Sequence, residues 1–535
     1  MKKNYIFLLL FITQLFAFSQ EDAWVYFVDK ENVATSIANP ITILTQEAID
    51  RKNNDGVVID ERDVPVNENY ISQIKNATGI TVFAKSKWFN AVHVRGTETD
   101  INNLETTFSF VDHIEFANKS LNTTRQTLQQ NKFEIEESQV AFTYGNTQNQ
   151  VDMINVDALH LADFTGNGVV VAVIDAGFPN VNTMGGFDRL RTAGNLLDGY
   201  DFVDRTDNVY AYTGNNHGTK VLSDMAGYIE NQFVGTAPDA SYYLFRTEDA
   251  GSENPVEESY WVEAAERADS LGVDIINTSL GYKNYDNPAY NHSDNDIDGS
   301  TTFITRGANI AFDKGLFLVN SAGNSGASGL NAPADAAGVF TIGSVDLNGN
   351  YSSFSSQGSA IQPTQKPDVV ARGSQSFVID SNNNIVQNNG TSFSSPILAG
   401  GVASLMQALP SSTNSELMQY IRESASQYTT PDYFLGYGIP NFELALDIGL
   451  SAETLKRTEF KIYPNPAKDY LEVSLPGTIE QADVLLFNVL GKLVLKSTVS
   501  QHNSVVNLQS ISSGIYMIKF QTNTQKAKTF KLIIE

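Results

Sequence analysis

The chain has 535 residues, 41% of them hydrophobic and 18% charged, with 61 acidic against 35 basic side chains and a formal net charge of −26. That is enough apolar material for several folded domains, and so acidic a balance excludes a nucleic-acid partner, whose binding needs a positive surface to displace counterions. There is no cysteine, which excludes a disulfide framework, thiolate metal sites and a cysteine nucleophile together.

Lys2 and Lys3 precede an apolar run from Tyr5 to Phe18, with the small residues Ala17 and Ser19 ahead of Gln20. This is the layout of a secretory signal peptide over residues 1–19. The run is too short, and too interrupted by Thr13 and Gln14, for a spanning helix. No other segment approaches the roughly 20 apolar residues a bilayer requires, so no stable transmembrane segment is expected. Residues 20–145 follow as a small α+β domain plus linker. Trp24–Val28, Phe89–Val94 and Val111–Phe116 read as strands, and Thr99–Phe108 has helical spacing. Asn122 to Gln150 is rich in Asn, Gln and Thr and reads as an exposed linker.

Residues 146–450 alternate continuous β-rich runs with helical patterns. Gly168–Ile174, Tyr242–Phe245, Val273–Ile276, Gly315–Val319 and Val339–Ile342 suit strands covered on both faces. Glu257–Leu271 and Thr301–Lys314 have the length of crossover helices. The expected fold class is α/β, a doubly wound parallel sheet. Residues 455–535 change character: Tyr470–Ser474, Ala482–Asn488, Lys492–Lys496, Ser504–Leu508, Gly514–Phe520 and Ala527–Ile534 are short strands with no helix between them. A small β-sandwich is expected. Charge divides at the same place. From Leu455 onward 10 basic residues face 6 acidic, a net of +4, whereas Glu21–Thr454 carries 23 against 55, a net of −32.

Four motifs in the middle segment carry chemistry. Val173-Ile174-Asp175-Ala176-Gly177 ends an apolar strand in an acid and a turn, where doubly wound sheets place ligands. His217-Gly218-Thr219 opens a helical pattern; a lone histidine is more often a satisfied core residue, and His160 and His292 are the only others between Val151 and Leu450. Ser321-Ala322-Gly323-Asn324-Ser325-Gly326 holds an Asn on a glycine-flanked turn, from which its amide can reach a developing oxyanion. Gly390-Thr391-Ser392-Phe393-Ser394-Ser395-Pro396 sets a serine on a tight turn at the mouth of a small-residue helix. Pro396 is expected in the first turn, where its missing N–H costs nothing.

Asp175, His217, Asn324 and Ser392, in that chain order, together with Val234–Pro238, Asn277-Thr278-Ser279-Leu280-Gly281, Ala332-Pro333-Ala334 and Phe354–Gly358 before Lys366-Pro367-Asp368, resemble the subtilisin-like serine proteases, the subtilases. The resemblance spans about 300 residues. It implies Ser392 as nucleophile, His217 as general base and then acid, and Asp175 as the group orienting the imidazole. Asn324 would form the oxyanion hole with the Ser392 N–H, and Ser279, Leu280 and Gly281 would pair with an extended peptide as an added strand. Asn331 would lie near the floor of the specificity pocket. Ala176 and Ile397 depart from the Ser or Thr and the His common at these places; neither position is a chemical participant. No G-x-S-x-G elbow surrounds the serine, which disfavours an esterase.

The flanks fit the same picture. The domain before the linker resembles subtilase propeptides, which assist folding and inhibit until removed. Ile462–Pro466, Leu490-Gly491-Lys492, Gly514-Ile515-Tyr516 and Lys528–Leu532 resemble the C-terminal sorting domain of the type IX secretion system, which carries cargo across the outer membrane of Bacteroidota-like bacteria. The expected product is therefore a zymogen, secreted or held at the surface outside a Gram-negative outer membrane. Its expected partners are protein or peptide substrates, its own propeptide as inhibitor and the type IX machinery. No cofactor is expected for the chemistry, and the resemblance leaves room for structural calcium. Asp294–Gly299 opens like a calcium loop, but Thr305 stands where an EF-hand needs its bidentate acid. The competing reading of the whole is a catalytically silent surface-binding protein on a subtilase scaffold.

Overall fold

Strands buried along their whole length need cover on both faces, and the middle of this chain supplies it. The computed structural model describes residues 20–121, 142–457, 460–475, 479, 481–500, 504–521 and 528–535. The expected leader over 1–19 and residues 122–141 of the expected linker lie outside the described residues. The chain forms two units that divide between Leu446 and Asp447.

The first unit opens with strands β1 (Gln20–Phe27), β2 (Thr81–Ser86), β3 (Ala91–Thr97) and β4 (Val111–Phe116), an antiparallel sheet in the order β2-β3-β1-β4. Period-2 alternation divides β1 between two neighbours. Ala23, Val25 and Phe27 pack with Ile71 and Ile74 of the helix Glu68–Lys75 and with Ile101 and Leu104 of Glu98–Thr107. Both helices start on side-chain caps, Asn67 and Thr97. On the other face, Trp24 stacks on Phe303 with ring centroids 4.4 Å apart. The sequence reading found three of these strands. It missed β2, whose residues TVFAKS mix polar and apolar without a clean period, and which joins β3 through a turn with Asn90 in the left-handed region. It also missed a lobe over residues 28–66, which includes the helices Val33–Ala38 and Gln46–Asn54.

Next come β5 (Val170–Asp175), β6 (Leu196–Asp201), the two-residue pair β7 (Tyr228–Ile229) and β8 (Phe233–Val234), β9 (Ser241–Arg246), β10 (Ile275–Thr278), β11 (Phe317–Ser321), β12 (Val339–Val345) and β13 (Val369–Arg372). Seven of these make one parallel sheet, ordered β13-β12-β11-β10-β5-β9-β6. From β5 the chain builds β6 and β9 on one side, then crosses back to build β10 to β13 on the other. Strand order thus reverses between β5 and β10, the place where doubly wound sheets open a crevice. The expected α/β class holds. The edge strands β6 and β13 were not legible: Asp198 and Gly199 break the apolar run of one, and the other has only four residues.

Helices Val256–Leu271 and Phe303–Asp313 pack together, as do His217–Ala226 and Thr391–Ala408. The last of these is buried on nearly every side. Gly400 is needed there because a Cβ would meet Thr236 Oγ1 at 2.0 Å. A hairpin of β14 (Ser376–Ile379) and β15 (Ile385–Asn388) precedes it. The expected linker does not extend to Gln150. Tyr144 is buried and donates to His160 Nδ1 at 2.8 Å, Gln148–Met153 is a helix, and Gln150 bonds Asp224 and the backbone of Phe377. Thr147 and Gln150 there satisfy their hydrogen bonds in the interior, while Asn146 and Gln148 stay exposed.

Among the described residues, every regular element of the second unit beyond its opening helical segment is a strand. Its strands β16 (Lys461–Tyr463), β17 (Tyr470–Ser474), β18 (Gln481–Asn488), β19 (Leu493–Ser500), β20 (Val505–Asn507), β21 (Gly514–Gln521) and β22 (Lys528–Ile534) form two sheets, β16-β17-β20 and β19-β18-β21-β22. Leu471, Val473, Val484, Leu486, Ile518, Phe520 and Leu532 share their common core. Among the described residues no helix is long and apolar enough to cross a membrane.

Candidate active site

The parallel sheet brings the four motifs to one end. Asp175 closes β5, Ser279 follows β10, and Asn324 follows β11, so three adjacent strands deliver them at their carboxyl ends. His217 is the first residue of its helix and Ser392 the second residue of the long buried one.

His217 Nδ1 lies 2.8 Å from Asp175 Oδ1. The carboxylate is fully buried and the imidazole 29% exposed. Asp175 Oδ1 also accepts the Ala176 N–H at 2.7 Å, while Oδ2 is buried with no hydrogen-bond partner among the described residues. That orphan acceptor sits beside the Ala that departs from the subtilase pattern. The His217 main chain is fixed by its N–H donating to Asn215 Oδ1 at 2.8 Å. Burial alone pulls the imidazole pKa down. The Asp175 carboxylate, by charge and by hydrogen bond, more than reverses this and leaves it above the ordinary histidine value. A base must be neutral to take a proton, so in the role the resemblance implies for His217 the acid limb of kcat/KM is expected to fall above pH ~6.5. A pH–rate profile checks this, and a limb below that value would contradict the pairing. The sign for stability is opposite. The pair's contribution is full below the unfolded pKa and is lost as pH rises through the raised folded one.

The other two histidines of the middle segment are structural. His160 is wholly buried between Tyr144 and the Thr236 carbonyl, and burial pushes its pKa down to about 4. His292 bonds Glu258 at 2.9 Å.

Pro396 is not in the first turn. The helix begins at Thr391, so Pro396 is its sixth residue and leaves the Ser392 carbonyl without an i+4 donor. Ser279 Oγ fills the gap, donating to that carbonyl at 2.9 Å, and the Ser392 hydroxyl donates back to the Ser279 carbonyl at 3.4 Å. Asn324 Oδ1 accepts both the Thr391 N–H (2.9 Å) and the Thr391 hydroxyl (3.1 Å). Those two donors fix the amide flip and leave Nδ2 with no acceptor among the described residues. Gly323, at φ 102°, makes the turn that carries Asn324. The carbonyls of Leu280 and Gly281 accept from Asn320 (3.2 Å) and Asn331 (3.3 Å), which sets Asn331 against that segment. Sequence reasoning assigned no role to Thr391, Asn215 or Glu248. Glu248 is a buried carboxyl that burial lifts to about 7, with Tyr282 and Thr247 hydroxyls donating to it and Asp175 within range of its charge. Thr391, inside a motif already noted, was the one with a signal.

The acidic run Asp294–Gly299 does not gather its carboxylates. Asp294 pairs with Lys283, Asp296 with Lys119, and Asp298 caps the backbone of Ser300 and Thr301. That loop does not fit a calcium ion. Among the described residues no group of three or more His, Asp or Glu side chains is placed to hold a metal.

The sequence model of the subtilase family matches residues 166–438. The peptidase S8 propeptide domain of Bacteroidota matches 22–134, and the secretion system C-terminal sorting domain matches 461–535. The chain belongs to the subtilase family and is a secreted, subtilisin-like serine endopeptidase that carries a propeptide and a sorting tail. It is similar to subtilisin E of Bacillus subtilis (strain 168), 29% identical over 322 residues, covering 58% of this chain and 74% of that protein. Subtilisin BL of Lederbergia lenta is 27% identical over 300 residues, covering 55% and 97%. A solved structure of MycP1 with its N-terminal propeptide removed has a TM-score of 0.46 at 24% identity, covering 56% of this chain and 96% of that one.

Proposed function

We propose that the chain is the zymogen of an endopeptidase in which Ser392 attacks the scissile carbonyl, His217 takes and returns the proton, and Asp175 holds the imidazole. The observation that supports this most is the 2.8 Å Asp175–His217 bond at the reversal point of the sheet, with the ring of Phe393, next in the chain to Ser392, 5.8 Å from the His217 ring. Neutral His217 donates from Nδ1 to Asp175, which leaves Nε2 as the base. The Ser392 hydroxyl, turned to Ser279 here, swings to Nε2 as substrate is seated, since such bonds tighten in the Michaelis complex. Asn324 Nδ2 and the Ser392 N–H then meet the oxyanion. Ser279, Leu280 and Gly281 line the peptide, with Asn331 making the pocket floor polar and uncharged. The proposed chemistry draws on no cofactor.

The propeptide is read as inhibitor, and the tail as the address read by type IX machinery that delivers the enzyme outside the outer membrane. A fluorophosphonate should label Ser392 in the matured protein, and the protein should clear casein. Failure of both after propeptide removal would favour a silent binding protein. Asn324→Ala should lower kcat on the order of 10²–10³-fold with KM little changed, a magnitude taken from subtilisin's own oxyanion Asn. Peptide hydrolysis kinetics would show it, and a loss confined to KM would remove Asn324 from that role.

A further inference from the structure

Two of the propeptide's contacts with the peptidase differ in place and chemistry. Along the helix Val256–Leu271, Ser259 accepts the Trp24 indole N–H, and Glu266 accepts the Ser86 hydroxyl and the N–H groups of Lys87 and Trp88. The second contact is made by the lobe over 28–66. Its helix Gln46–Asn54 lies against Gly272, where a Cβ would come within 2.8 Å of the Ala48 nitrogen, and Thr45 N–H donates to the Ser270 carbonyl. Gly272 and Gly315 lead into β10 and β11, so the lobe sits at the amino ends of the strands, opposite the end that carries Asp175, Ser279 and Asn324.

This second contact is ionic, and its central side chains are buried. Asp269 Oδ1 meets Arg51 and Lys52 at 2.6 Å each, and Lys87 stands 3.9 Å from Oδ2. Lys314 meets Asp63 at 2.7 Å and Asp60 at 3.0 Å, and Lys52 reaches Asp63 at 3.2 Å. The side chains of Lys52, Asp63, Asp269 and Lys314 are all 0% exposed. Burial alone would lift the Asp269 carboxyl, yet the surrounding cations hold it at about 2. Asp269 and Lys314 belong to the peptidase, and each of their ion pairs among the described residues is with the propeptide. Two opposite charges on one partner meeting their complements on the other fix register. They also leave both surfaces soluble once parted, which suits a contact built to be undone.

We propose that the lobe over residues 28–66 is a second anchor, which holds the cut propeptide on the mature enzyme through Lys52, Asp63, Asp269 and Lys314 and sets the rate of its release. The proposal rests on the zymogen reading, and its test separates the two. A Ser392→Ala chain carrying the recognition sequence of a specific protease within residues 122–141 is cut by that protease, and dissociation of the fragment is followed by gel filtration. With the native lobe the fragment should stay bound. With Lys52→Met and Asp63→Leu together it should leave on the order of 100-fold faster, because Asp269 and Lys314 each lose a fully buried partner. If that double variant does not fold, Asp60→Asn, a partly exposed member, decides: release about 5-fold faster supports the anchor. Release at the native rate overturns it in either case. Because the cut is made from outside, a failure of the protease reading would appear only in the Ser392 chain, as no hydrolysis of casein.

Discussion

Ser392→Ala is expected to remove peptide hydrolysis, lowering kcat on the order of 10⁶-fold, the size established for subtilisin's own nucleophile and borrowed here. What survives should be the oxyanion donors and the binding of an extended peptide, so KM should hardly move. The substitution deletes one hydroxyl whose bond, to the Ser279 carbonyl, is long at 3.4 Å, and the shorter Ser279 Oγ–Ser392 carbonyl bond does not depend on it. Thermal unfolding should therefore shift little while fluorophosphonate labelling disappears. The same variant should stay full length if the enzyme cuts its own linker. Intact mass of the secreted protein reads that directly, and a chain of mature length would assign processing to another protease.

Asp175→Asn is expected to cost on the order of 10⁴-fold in kcat near neutral pH. The carboxylate can only accept, which forces the proton of neutral His217 onto Nδ1 and frees Nε2 as base. An amide can donate instead, and the imidazole can then settle in the tautomer with Nε2 protonated, where it cannot take the Ser392 proton. Loss of the negative charge also removes what raises the His217 pKa, so the acid limb of the residual activity should move down. NMR of the His217 ring would report both tautomer and titration. A variant that keeps the wild-type limb would show that Asp175 does not govern the imidazole.

Much of this architecture was legible because it rests on short-range rules. The strands VVAVID and FLVNS begin as continuous apolar runs, and helices of 11 and 16 residues between them show their own periods. The residues of the candidate site were legible as types in a chain order. Their mutual geometry was not: nothing local announces that Asn324 is held by Thr391, or that Ser279 supplies the bond Pro396 removes. The overlong linker and the missed lobe share a cause. Gln150 and Lys52 look like solvent residues, yet partners 74 to 227 positions away satisfy them in the interior. The lobe over 28–66 was missed because its contacts are charged and sit in another part of the chain.

β1 shows how one strand can carry two independent messages. Ala23, Val25 and Phe27 speak to the propeptide's own helices, so a change there asks whether the domain folds at all. Trp24 and Tyr26 point the other way. One lies on Phe303, and the other bonds the carboxylate that Arg306 holds, so a change there asks whether the propeptide fits this enzyme. Spelling the two messages on alternate letters lets recognition drift between relatives while the fold that displays it stays the same.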